Sequence, residues 1–219
     1  MALSRDWTAA KVWRNAVRGL PMEKQGLTIE FEKYEIINLF TQKIVSQFFD
    51  LMASAYLVET AGSDVANAID ISALRIMRSG QQMRMTLFSS VTKDVTVKQP
   101  EEVDSFIASA LQNSTKIVWT LVGDKIKLAK GAGLASYGLT IRYPRVPTLV
   151  TADTDLIDLP DGPAPAMLVA LVREEVASRI NFQVPDTLNK IETAIRDLYN
   201  SFGVAISNEM IKEKANDLK

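Results

Sequence analysis

Between residues 37 and 55 the apolar side chains Ile37, Phe40, Ile44, Phe48, Leu51 and Ala55 return every three or four positions. That period gathers side chains on one face of an α-helix. The spacing predicts a helix of about five turns. Its expected end is near Glu59-Thr60-Ala61-Gly62, where glycine suits a C-terminal cap. A shorter helical pattern over 4–20 places Trp7, Ala10, Trp13 (or Val12) and Val17 on one side. Ser4 or Asp6 is its expected cap and Gly19-Leu20-Pro21 its stop.

From 69 to 98 the period falls to two. Met83, Met85 and Leu87 alternate with Arg84, Thr86 and Phe88, and Val95 and Val97 with Asp94, Thr96 and Lys98, which predicts strands. The piece 71–77, with Leu74 and Ile76 around Arg75, is assigned as a strand too. Helical spacing resumes after Gln99-Pro100-Glu101-Glu102, with proline near the first position and acids in the first turn. Val103, Phe106, Ile107, Ala110 and Leu111 form its apolar face, and Asn113 ends it.

Ile117, Trp119 and Leu121 on one side and Val118 and Val122 on the other predict a strand covered on both faces. Gly123-Asp124 fits a two-residue turn into a strand bearing Ile126 and Leu128, and 139–143 supplies a third strand to the set. Pro144, Pro147, Pro160, Pro163 and Pro165 predict an extended, solvated connection and a boundary. Two helices follow. One carries Met167, Leu168, Leu171, Val172, Val176 and Ile180, entered through Asp161-Gly162-Pro163. The other carries Leu188, Ile191, Ile195, Leu198 and Phe202, entered through Pro185-Asp186 and stopped by Gly203.

The pattern predicts an α+β protein, an antiparallel-type helical bundle core with an inserted β-rich subdomain. Its expected segments are 1–62, N-terminal helices; 63–147, a β-rich insertion with one helix; 148–203, a linker and C-terminal helix pair; and 204–219, a C-terminal tail. The tail is polar, and Ile206, Met210 and Ile211 leave it a narrow apolar stripe. It is expected to stay outside the core and to become ordered on a partner.

Composition narrows the chemistry. The chain has 25 basic and 26 acidic residues, so it has no net field to hold nucleic acid by counterion release. It has neither cysteine nor histidine. Disulfides, zinc sites built on thiolate or imidazole, and Cys or Ser–His nucleophiles are thereby excluded. No apolar run approaches the ~18–20 residues of a membrane span, and the start lacks the apolar region of a signal peptide. The expectation is a soluble, non-secreted, non-enzymatic protein with no catalytic, cofactor or metal residues, acting by binding copies of itself and neighbouring proteins.

Several local features bear on that expectation. The 153–161 loop carries Asp153, Asp155, Asp158 and Asp161, but lacks the third ligand, glycine and distant glutamate of a calcium loop. It reads as solvated acids with Asp161 as a helix cap. Gly131-Ala132-Gly133-Leu134-Ala135-Ser136 lacks the ending of either phosphate-binding glycine motif and reads as a flexible hairpin connection between Leu128 and Leu139. The 125–139 segment is expected to form an exposed hairpin. Lys125, Lys127 and Lys130 around its turn are candidate partner-binding residues, as are Ile206, Met210 and Ile211 in the tail. Met77, Met83 and Met85 read as adaptable core. The alternative class is a carboxylate- or lysine-dependent enzyme or small-ligand binder using the 153–161 loop.

One stretch carries a wider resemblance. A tryptophan-bearing strand, the Gly123-Asp124-Lys125-Ile126 turn, a strand ending Tyr143-Pro144-Arg145-Val146-Pro147, an aspartate-rich loop, and Ile157-Asp158-Leu159-Pro160-Asp161 before an apolar helix follow one another. This order resembles the head-to-tail connector proteins of tailed bacteriophages, the adaptor or neck-ring subunits beneath the portal. The resemblance implies a helical core with a β subdomain and a closed ring of twelve copies matching the portal. It also implies contacts to the portal and to tail or second adaptor proteins, and a lumen that DNA crosses without specific binding. The implied location is the virion, assembled in the host cytoplasm, with no membrane partner and no catalytic residues.

Overall fold

The computed structural model describes residues 6–22, 26–62, 68–77, 85–108, 115–131, 133–134 and 138–218. In chain order they form α1 (Ala9–Val17), α2 (Gly26–Phe31), α3 (Lys33–Gln47), α4 (Phe49–Tyr56), β1 (Leu57–Ala61), β2 (Ala68–Asp70), β3 (Thr86–Ser89), β4 (Val95–Val97) and α5 (Pro100–Ala108). Next come β5 (Ile117–Val122), β6 (Lys125–Lys130), β7 (Leu139–Pro144), α6 (Pro163–Arg179), α7 (Thr187–Ser201) and α8 (Asn208–Leu218). The fold is α+β. Two compact units divide the chain: Met1–Tyr56 with Pro147–Lys219, and Leu57–Val146. The sequence pattern places the corresponding boundaries at 62/63 and 147/148.

In the first unit α6 is the central helix, packed against α1, α3 and α7. It is buried on more than one side, through Met167, Leu168, Leu171, Val172 and Val176 together with the small Ala164, Ala170 and Ala177. Small side chains let neighbouring helices approach without leaving voids. Its cap is Gly162, at φ +115°, and not Asp161, which is exposed.

The start of α1 is later than 4–20 suggests. Thr8 is its cap, with Oγ1 accepting Lys11 N at 3.2 Å, while Ser4 lies outside the described residues. Ala9, Val12, Trp13 and Ala16 form the buried face, and Gly19 at φ +76° turns the chain away. The short α2 has no counterpart in the sequence pattern.

The long helix expected from 37 breaks at Phe48, whose backbone leaves helical geometry (φ −112°, ψ 20°). Beyond the break, Met52 and Tyr56 are buried where the continuous pattern points to Leu51 and Ala55. At Leu57 the chain extends into β1 instead of staying helical to Gly62. Val58 and Thr60, both β-branched, fit the pleat, and β1 pairs antiparallel with β7.

The second unit holds two sheets, β1-β7-β3 and β2-β6-β5-β4. Ile117 and Trp119 of β5, Ile126 and Leu128 of β6, Leu139, Ile141 and Tyr143 of β7, and Leu87 of β3 share one core. Val118 and Ala129, on the opposite faces of β5 and β6, pack with Val103 of α5. Thus β5 is covered on both sides, as its unbroken apolar run requires. β4 and β5 are parallel, and α5 is the crossover between them. Gln99 N donates to Glu102 Oε2 at 3.0 Å, closing the first turn of α5; Asn113 lies outside the described residues.

Three strand expectations need correction. Residues 71–77 are turns with one isolated bridge, Ile76 to Arg145, because Asp70 Oδ1 accepts Ser72 N at 2.8 Å and ends β2. β7 does not complete the sheet of β5 and β6; it is the middle strand of the other sheet. Nor do the described residues of 125–139 form an exposed hairpin. β6 is an inner strand, and Leu134 is buried in the core shared by the two sheets. Met83, Arg84, Ala132, Ala135 and Ser136 lie outside the described residues.

Candidate functional site

The proline-rich connection is not solvated throughout. Pro147, Val150 and the run Ile157-Asp158-Leu159-Pro160 are buried. The 153–161 loop serves the start of α1: the carbonyls of Asp155 and Asp153 accept Ala9 N and Ala10 N at 2.9 and 3.1 Å. Thr8 bridges Leu156, and Trp7 O accepts Ile157 N at 2.8 Å. The bonds from Ala9 and Ala10 satisfy first-turn N–H groups that a helix cannot satisfy internally.

The loop carboxylates point to separate partners. Asp153 Oδ1 accepts Tyr34 Oη at 3.1 Å and pairs with Lys33 Nζ at 2.8 Å. Lys33 also meets Glu30 at 3.0 Å, and Glu30 in turn accepts the Trp13 indole N–H at 2.7 Å. The Lys33 ammonium is held above its ordinary range, first by Asp153 and then by Glu30, against the cost of its burial. Asp158 is buried, with Oδ2 accepting Thr148 N at 2.6 Å and its carbonyl accepting the Tyr56 hydroxyl.

Asp155 Oδ2 accepts Thr151 N at 2.7 Å and Ala152 N at 2.9 Å. Those bonds hold its pKa below the ordinary 3.8. A carboxylate whose folded pKa is depressed stabilises the fold above its unfolded value, and that contribution is lost as pH falls through the folded pKa. Asp155→Asn should therefore melt below the wild type at neutral pH, with the gap closing as the pH drops below 3.8. Thermal melts across that range check it; a gap unchanged down to about pH 2 would mean that the charge is irrelevant.

The three candidate lysines do not form one patch. Lys125 and Lys127 share a face of β6 opposite to Ile126 and Leu128, whereas Lys130 has the other parity. Lys125 faces Asp70 across the β2–β6 pair, Lys127 Nζ reaches Asp104 Oδ1 at 2.5 Å, and Lys130 Nζ donates to Leu134 O at 2.6 Å. Gly131 is buried and donates its N–H to Lys116 O at 2.9 Å, so its amide is not presented to a phosphate. Met77 and Met85 are buried in keeping with a packing role; Met83 lies outside the described residues.

The tail is folded. Residues 208–218 form α8 against α7 and α3, with Ile211, Ala215 and Leu218 at 1%, 0% and 1% exposure. Gln47 Nε2 donates to Lys214 O at 3.0 Å and Lys43 Nζ to Leu218 O at 3.3 Å. Of the three apolar tail candidates, Ile211 is core, Ile206 is half-buried, and Met210 is the exposed one.

A feature that periodicity did not signal is a cleft of about 670 Å³ in the helical unit. Asn15 and Arg18 at the end of α1, Ala166 and Ala170 of α6, and Asn189 and Thr193 of α7 are among its lining residues. Arg173, also in its lining, donates to the carbonyls of Ala16 and Arg18 at 2.8 and 2.7 Å, closing the C-terminus of α1. Only the fold brings these residues together.

Among the described residues no group of three or more Asp, Glu, His or Cys is placed to hold a metal ion. Among them, too, no helix is long and apolar enough to cross a membrane. No protein-family model and no curated protein matches the chain.

Proposed function

We propose that the chain is a ring-forming structural subunit of a virion, a head-to-tail connector that joins the portal of a tailed bacteriophage to its tail and lines the DNA exit channel. The observation that carries this reading is the order of elements. A helical unit is interrupted by a β-rich unit, and the chain returns through β5, the Gly123-Asp124 turn, β6, β7, the Pro144–Pro147 exit and the aspartate loop into the central α6. A near-neutral charge supports a conduit through which DNA slides without being held. The reading is non-catalytic, and the separate structural partners of Asp153, Asp155 and Asp158 support that part of it.

A connector of this kind closes head to tail, because a heterologous interface that fails to close grows into filaments. The purified protein mixed with its candidate portal should form rings by negative-stain microscopy, with twelve subunits by native mass spectrometry. A protein that stays monomeric and binds no virion component would overturn the reading.

A further inference from the structure

An exposed basic ridge on α1 and an exposed acidic ridge on α8, the latter flanked by the exposed Lys212, carry opposite charges. On α1, Lys11, Arg14 and, at the C-cap, Arg18 are exposed on the side away from the buried Val12, Trp13 and Ala16, and the helix contains no acid. On α8, Glu209, Glu213 and Asp217 are exposed at four-residue spacing, opposite Ile211, Ala215 and Leu218. Among the described residues, none of Arg14, Arg18, Glu209, Glu213 and Asp217 takes part in an ion pair. Lys11 donates to the Asp6 carbonyl and lies over the Trp7 ring, leaving its charge exposed.

The two ridges match in length. At 1.5 Å rise per residue the cations extend over about 10 Å and the acids over about 12 Å. Within one copy α1 packs on α6 and α3, while α8 packs on α7 and α3. A second copy would offer each ridge a complement of opposite sign. Apolar surface accompanies the charge: Arg18 adjoins the cleft containing Ala166, Val169 and Ala170, and Met210, 47% exposed, stands beside Glu209 on α8.

We infer that α8 of one copy docks antiparallel on α1 of the next, with Asp217 facing Lys11, Glu213 facing Arg14, Glu209 facing Arg18, and Met210 at the cleft beside Arg18. The contact uses different faces of the two copies, so it is head to tail and repeats around a ring. The inference deepens the connector reading and rests on it.

The absence of cysteine from residues 1–219 allows a direct test in this chain. A variant carrying both Arg14→Cys and Glu213→Cys should give a ladder of disulfide-linked multimers on oxidation, while each single variant gives none. Arg14→Glu with Arg18→Glu should weaken self-association by about tenfold in sedimentation. Adding Glu209→Lys and Glu213→Lys to the same chain should restore it. Circular dichroism should be unchanged, because all four positions are exposed.

No ladder, or self-association indifferent to charge reversal, overturns the interface. So does retained self-association with loss of duplex DNA binding in a gel shift, which assigns the basic face of α1 to nucleic acid. Rings without α1–α8 linkage sink this interface and leave the connector reading standing. Linkage that grows only into open filaments supports the interface and counts against the connector.

Discussion

Deleting residues from Val204 onward should destabilise the helical unit by about 4 kcal/mol, seen as a lower midpoint in urea unfolding. Ile211 and Leu218 are at 1% exposure, and full burial of such a side chain contributes roughly 1.5–3 kcal/mol. Truncation also bares the apolar surfaces of α7 and α3 beneath α8 and removes the carbonyls that receive Gln47 and Lys43. Against a total of roughly 5–15 kcal/mol for a domain, that is a large fraction. The polar sequence of the tail points the other way, to an arm that can be removed without effect on melting. A truncated chain with an unchanged midpoint would restore that picture.

Tyr56→Ala should cost about 3–5 kcal/mol, and Tyr56→Phe about 1–2 kcal/mol. Tyr56 ends α4, is fully buried, and donates its hydroxyl to the Asp158 carbonyl, 102 residues away. The alanine variant removes the ring and leaves a cavity; the phenylalanine variant removes only the donor. The pair therefore separates packing from the hydrogen bond that fixes the buried part of the proline-rich connection. Equal losses in the two variants would mean that the hydroxyl dominates. Two near-neutral variants would mean that the connection is not anchored there.

The expected results differ in kind from those at Asp155. There a half-buried carboxylate is tested, and its role is read from pH dependence. At Tyr56 and in α8, stability itself is the readout, because buried area carries the effect. These helical-unit tests also leave the connector reading free to stand or fall on the ring.

Much of the architecture was legible in the residues. The period of Ile37, Phe40 and Ile44 gives α3 its buried face, the apolar run of β5 marks a strand covered on both sides, and Gly123-Asp124 marks the turn into β6. Proline and acids at 100–102 start α5, and Gly203, at φ +67°, stops α7. In each case the cause is local: one backbone geometry or one periodic face is encoded within a few residues of itself.

What the tertiary structure alone decided is partnership. Leu139 to Pro144 reads as a strand, yet only long-range pairing puts it between β1 and β3 and not beside β6. Ile206, Met210 and Ile211 look alike as a stripe, but α3 and α7 bury Ile211 and leave Met210 exposed. The aspartates of 153–161 read as a solvated cluster until the start of α1, Lys33 and Thr148 take them separately. Sequence by itself determined which segments could be helix or strand and which chemistry was absent. The fold determined which side chains have neighbours, because burial and pairing across elements depend on residues far apart in the chain that no local pattern specifies.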